Sequence, residues 1–106
     1  MRAGALRARL VLEAPVRTPD AGGGADVVWT AEAAVWAQLV PLRGGEAGGA
    51  DALTSRVSHE VAIRHRGGVS PEKRFRLGSR VRAIRAVRDD DRGRRLVCEC
   101  EEETVA

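Results

Sequence analysis

At 106 residues the chain is long enough for one domain, spanning 1–106, with a single modest core; 43% of it is apolar but only 3% aromatic, so that core must come from Val, Leu, Ile and Ala. Apolar runs stop well short of the ~20 residues of a membrane helix and the start lacks a signal-peptide apolar region, so the sequence predicts no membrane partner and a protein made in a cytosolic setting. The formal charge of +3 hides a split: residues 64–95 hold twelve basic and four acidic residues (12 − 4 = +8), while Glu99, Glu101, Glu102 and Glu103 fall in the last nine without a base, a pattern suited to nucleic acid or to complementary faces of neighbouring subunits.

Leu6, Ala8, Leu10 and Leu12 alternate with Arg7, Arg9, Val11 and Glu13, which predicts a first strand with one inner face. Pro15 and Pro19 confine its continuation to a sheet edge or a loop, because proline cannot donate to a ladder. Asp20 to Gly24 reads as a hairpin loop. Its three glycines lack the Gly-Lys-Ser/Thr that a phosphate cradle needs. Residues 27–29 and 35–42 are predicted as two extended pieces, with residues 30–34 as a break between them. Trp36, Gln38, Val40 and Leu42 share one face; Val35, Ala37, Leu39 and Pro41 share the other. With both faces mostly apolar, this strand is covered on both sides or packs against another chain. Trp29 and Trp36 read as core or interface anchors rather than as stacking platforms for bases.

Residues 43–55 form the odd segment. Gly44, Gly45, Gly48 and Gly49 interrupt Glu46, Ala47, Asp51 and Leu53, which allows a helical turn but not a stable helix. Connections this long in a small domain are usually functional or disordered. Residues 56–66 then give the longest alternation in the chain. Val57, His59, Val61, Ile63 and His65 lie on one side, and Arg56, Ser58, Glu60, Ala62, Arg64 and Arg66 on the other, until Gly67-Gly68 stops the strand. Residues 69–72 are a turn, residues 73–77 a short strand, and Gly78-Ser79 a two-residue hairpin turn. Residues 80–88 have Val81, Ile84 and Val87 at spacings of three, which suits a helix. The hairpin turn and the short length favour a strand with a bulge. After a turn at residues 89–93, Leu96, Cys98 and Cys100 define the inner face of a last strand. Six to seven short strands with one long loop at 44–55 predict an all-β fold, a small barrel or sandwich.

Cys98 and Cys100 on one strand face would sit ~6.6 Å apart, beyond an easy disulfide, and read as buried free thiols. His59 and His65 are ~20 Å apart on a strand and cannot share a metal, so no metal or cofactor site is predicted. His59 reads as a hydrogen-bonded core or interface histidine. No nucleophile motif accompanies it, and composition and spacing argue against an enzyme.

The ordered set of landmarks resembles the head–tail joining family of long-tailed phages, the head-closure or stopper proteins. These landmarks are Leu6-Arg7; Val16-Arg17-Thr18-Pro19-Asp20; Val35 to Gly44, reading Val-Trp-Ala-Gln-Leu-Val-Pro-Leu-Arg-Gly; and Ala52 to His59, reading Ala-Leu-Thr-Ser-Arg-Val-Ser-His. Val61-Ala62-Ile63-Arg64, Gly78-Ser79-Arg80-Val81, Ile84 to Asp89 and Leu96-Val97-Cys98-Glu99 complete the set. The resemblance implies a β-barrel subunit of a homo-oligomeric ring, hexameric or dodecameric, in the neck of a phage or gene transfer agent, assembled in the bacterial cytoplasm. A portal or adaptor would stand above, a tail terminator or tail tube protein below, and double-stranded DNA would pass through. It implies a channel loop at Gly44, Gly45, Glu46, Gly48, Gly49, Asp51 and Leu53. Here Gly48-Gly49 departs from the bulkier, more helical segment of the family. On this reading Trp36, Arg64, Arg66, Arg82, Glu99 and Glu101 are expected at subunit interfaces. The rival is a nucleic-acid-binding barrel with its 64–95 arginines on phosphates, disfavoured by the shortage of aromatic platforms.

Overall fold

The computed structural model describes residues 7–42 and 58–104. Within them six strands form: β1 (Ala8–Pro19), β2 (Ala25–Pro41), β3 (His59–Arg64), β4 (Arg74–Leu77), β5 (Arg80–Asp90) and β6 (Arg95–Thr104). They close as an antiparallel barrel in the order β1-β2-β3-β6-β5-β4. The described residues contain no helix, so the fold is the all-β barrel that the alternating pattern predicts. The ring is uneven, because β4 returns to β1 only at Val11–Glu13.

Alternation decides what lies inside. Leu10 and Leu12 of β1, Ala37 of β2, Val61 and Ile63 of β3, Phe75 of β4, Ile84 of β5, and Leu96, Cys98 and Cys100 of β6 make one buried cluster. The only phenylalanine is thus at its centre, fully buried. Gly78 has φ 62° and opens the two-residue turn between Leu77 and Arg80, the backbone a hairpin of this type asks for.

Two bulges reconcile the spacing of the sequence with the barrel. On β5, Ile84 faces Cys100 and Ala86 faces Glu99, so Arg85 is the extra residue. That one-residue step brings Val87, opposite Cys98, back to the inner side after Ile84. The spacing of three is therefore a bulged strand, as predicted. On β2, Leu12 faces Ala33 but Glu13 faces Ala31, which leaves Glu32 as the extra residue. The predicted break at residues 30–34 is a correction: β2 runs unbroken from Ala25 to Pro41, and the bulge at Glu32 absorbs the irregularity. β3 is also shorter than the predicted 56–66. It ends at Arg64, His65 is exposed, and its N–H donates to Arg94 O at 2.9 Å; residues 56 and 57 lie outside the described residues.

β1 and β2 outrun the rest of the barrel. β4 pairs with β1 no further than Glu13, and β3 pairs with β2 only over Ala37–Pro41. Residues 14–19 and 25–31 therefore form a two-stranded arm whose outer edges pair with no other strand among the described residues. At its tip Asp20 Oδ1 accepts from Gly22 N (2.8 Å) and Gly24 N (3.0 Å), and Gly23 takes φ 87°. Pro15 and Pro19 sit on the free edge of β1, where the missing donor breaks no ladder bond.

Candidate assembly surface

One end of the barrel is closed by polar groups. His59, Arg82 and Glu102 follow Cys100 and Ile84 on the inner faces of β3, β5 and β6. Ser58 ties this end together: its N–H donates to Cys100 O (2.8 Å), its Oγ accepts from Glu102 N (2.8 Å), and His59 Nδ1 lies 2.9 Å from that Oγ. Leu42 N donates to Ser58 O at 2.8 Å, so the connection between β2 and β3 leaves and re-enters the barrel at one point. Burial holds the His59 pKa below its ordinary value, Arg82 adds to that, and Glu102 opposes it. Arg82 is only 3% exposed, and its Nε and Nη1 make no hydrogen bond to the described residues. Its Nη2 stands 3.2 Å from Glu102 Oε1, which also lies 2.9 Å from Arg80 Nη2.

The outer face of β3, β5 and β6 carries a ladder of ion pairs. Arg88 bridges Glu99 (2.9 Å) and Glu60 (3.0 Å), Arg85 binds Glu101 and reaches Glu103 (3.5 Å), and Arg95 binds Asp90. Opposite charges on adjacent strands stand within reach of one another, and here the barrel supplies its own counter-charges. The acidic end of the chain and the arginines of β5 are consequently paired within the subunit.

Two further cations, Arg64 and Arg66, make no ion pair with a carboxylate among the described residues, whereas Arg94 faces Asp91. The bond from His65 to Arg94 draws Arg64 and Arg66 toward Arg92 and Arg94, at the end of the barrel from which the arm leaves. There Val35, Trp36, Ile63, Arg64, His65 and Arg66 line a cleft. Trp36 is 53% exposed, with the Arg9 guanidinium 5.8 Å from its ring centroid. Trp29 is half-buried under Arg74, 4.1 Å from the ring centroid. The core option for both tryptophans is thereby excluded: each lies on the outer surface against an arginine.

Three of the residues singled out in the sequence, Trp36, Arg64 and Arg66, come together in that cleft. Glu99, Glu101 and Arg82 do not join them; the glutamates pair on the ladder and Arg82 is inside. The predicted channel loop at Gly44–Ser55 lies outside the described residues. Cys98 and Cys100 are free and buried, as expected, and desolvation pushes both thiols up, Cys98 to about 12. Sequence reading missed the brace at the arm's root, where Glu13, 7% exposed, accepts from Arg74 Nε (2.7 Å) and Arg76 Nε (3.0 Å). Lys73 adds a pair with Glu32 at 2.7 Å. The only signal for it was a glutamate at an otherwise ordinary outward position.

A family model described as phage head completion protein matches residues 1–103. The chain is similar to one in the virion of a native gene transfer agent particle, at 32% identity over 94% of this chain and 96% of that one, with a TM-score of 0.69. It also shares the fold of a protein from Shigella flexneri 2a solved in solution, at 24% identity over 96% of each chain, with a TM-score of 0.77. No curated protein matches it.

Proposed function

The chain belongs to the phage head completion protein family, and on that premise we propose that it forms a homo-oligomeric ring in the neck of a phage-type particle, between portal or adaptor and tail. The observation that carries this reading is the similarity, over nearly the whole length, to a chain of an assembled gene transfer agent virion. The ring continues the DNA channel, retains packaged DNA and offers the tail its attachment surface. Its work is structural.

The loop at residues 44–55 is the channel element. The described residues that flank this connection, Leu42 and Ser58, are hydrogen-bonded to each other, so changes between them need not reach the barrel. Glu46 and Asp51 repel phosphates, which suits a passage that DNA slides through. The rival reading, a nucleic-acid-binding barrel, needs the arginines of residues 64–95 on phosphates. Arg80, Arg82, Arg85, Arg88 and Arg95 instead face carboxylates of their own chain.

Deleting Gly48–Ala50 tests the proposal. Loop closure depends weakly on length, so the barrel should stay folded by circular dichroism. Particles should form but leak DNA or fail to join tails. Normal DNA retention together with normal tail joining would remove the loop from the channel.

A further inference from the structure

The inner face of the barrel does not stop where the barrel stops. Along β1 the residues facing the core are Leu10 and Leu12, and the same side continues through Ala14, Val16 and Thr18. Across the ladder it continues on β2 as Thr30, Val28 and Asp26, with Val16 directly opposite Val28. Past Glu13 no strand among the described residues covers this side. Val16 is 47% exposed and Val28 55%. A lone two-stranded ribbon is marginal in water, so an apolar pair at its centre calls for a third layer.

The arm offers a face rather than an edge on its β1 side. Asp20 N bonds Gly24 O, which makes Thr18 and Val16 the residues bonded across to β2. Pro15, Arg17 and Pro19 then occupy the outward backbone positions, and the two prolines stop strand addition there.

We propose that this face of the arm seats in the Trp36 cleft of a second copy of the chain. Val16 and Val28 cover the exposed Trp36 ring, while Asp26 on the same face meets Arg64 or Arg66, cations without a carboxylate of their own among the described residues. Asp20 at the tip adds a second carboxylate. The arm cannot fold onto its own cleft: Val28 and Trp36 lie eight positions apart on β2, ~26 Å for an extended chain, and on opposite faces of it. The contact joins two different patches, arm on one copy and cleft on the next, and such contacts generate rings when the rotation closes. The inference rests on the reading of the chain as one copy among several in a particle, and names the surfaces that copies use.

Cysteine trapping tests it in purified protein at high concentration. Cys98 and Cys100 are buried and stay silent, so V28C and W36C supply the reporters. The double variant V28C/W36C should form an oxidised ladder of multimers. A mixture of the two single variants should stop at heterodimers. Adding D26R should lower the yield, and adding R64D to D26R should restore it. Trapping of V28C to itself would mean arm-to-arm pairing and overturn the proposal, as would no ladder from folded double variant. Particle incorporation is scored separately. A ladder in solution with no chain in particles would sink the neck reading and leave the arm–cleft contact standing; incorporation without trapping in solution or in particles would do the reverse.

Discussion

Arg82 is the residue whose position costs most. A guanidinium at 3% exposure, with Nε and Nη1 unbonded among the described residues, gives up hydration that its contact with Glu102 only partly replaces. Glu102 keeps Arg80 when Arg82 is removed, so no buried charge is orphaned. R82M should therefore raise the unfolding free energy by about 1–2 kcal/mol in a urea titration. A loss of stability would show that Glu102 depends on Arg82. Beside it, His59 has its folded pKa depressed, first by burial and then by Arg82. The unfolded chain therefore takes up a proton that the folded chain resists as pH falls through the ordinary value of 6.5. Stability should decline from that pH downward, before Asp90 and Glu102, both depressed by hydrogen bonds from arginines, begin to lose their charge. H59Q should flatten that part of the thermal-melt profile and leave the steeper acid limb in place.

At the level of elements, the arm and the barrel meet through β4. Glu13 joins β1 to Arg74 and Arg76 at the shortest seam of the barrel, and Arg74 also covers Trp29 on β2. One carboxylate thus braces the seam where the ring closes, at the root of the arm. E13A leaves Arg74, a largely buried cation, without its carboxylate, while Arg76 is exposed enough for water to screen it. The loss should be about 2–3 kcal/mol by denaturant unfolding, and amides of β4 should exchange faster than those of β6. Equal protection in the two strands would mean the seam holds without this brace. The bulges at Glu32 and Arg85 work at the same scale. Each inserts one residue and presents a charged side chain to an opposite charge, Glu32 to Lys73 just before β4 and Arg85 to Glu101 on β6.

For the molecule as a whole, charge is sorted by end. The β3-β5-β6 wall neutralises itself, while at the end next to the arm Arg64 and Arg66 make no ion pair with a carboxylate among the described residues and Arg94 faces Asp91. An assembly subunit gains from this arrangement: most of its surface is indifferent, and a limited patch attracts. Trp36 sits in that patch, half exposed, so W36A should leave the melting temperature nearly unchanged. It should instead reduce incorporation into particles, scored by blotting purified particles against total lysate. A large drop in melting temperature would place Trp36 in the fold rather than at an interface.

What the sequence determined by itself was everything that depends on neighbours along the chain. Alternation at Leu10–Leu12, Val61–Ile63 and Leu96–Cys100 placed the inner faces, since strand side chains alternate whatever the partner. Gly78-Ser79 and Asp20–Gly24 placed hairpins through backbone preference alone. The prolines already confined the end of β1 to an edge. Only the tertiary structure decided what depends on register and on strand order. Whether residues 30–34 break a strand or bulge it turns on how β2 lies against Leu12 and Glu13. That Glu99 and Glu101 meet Arg88 and Arg85 turns on β5 lying beside β6. The arm's uncovered face likewise appears only when β3 and β4 are seen to end before β1 and β2 do, because a side chain's burial is set by the strand that covers it, and that strand comes from elsewhere in the chain.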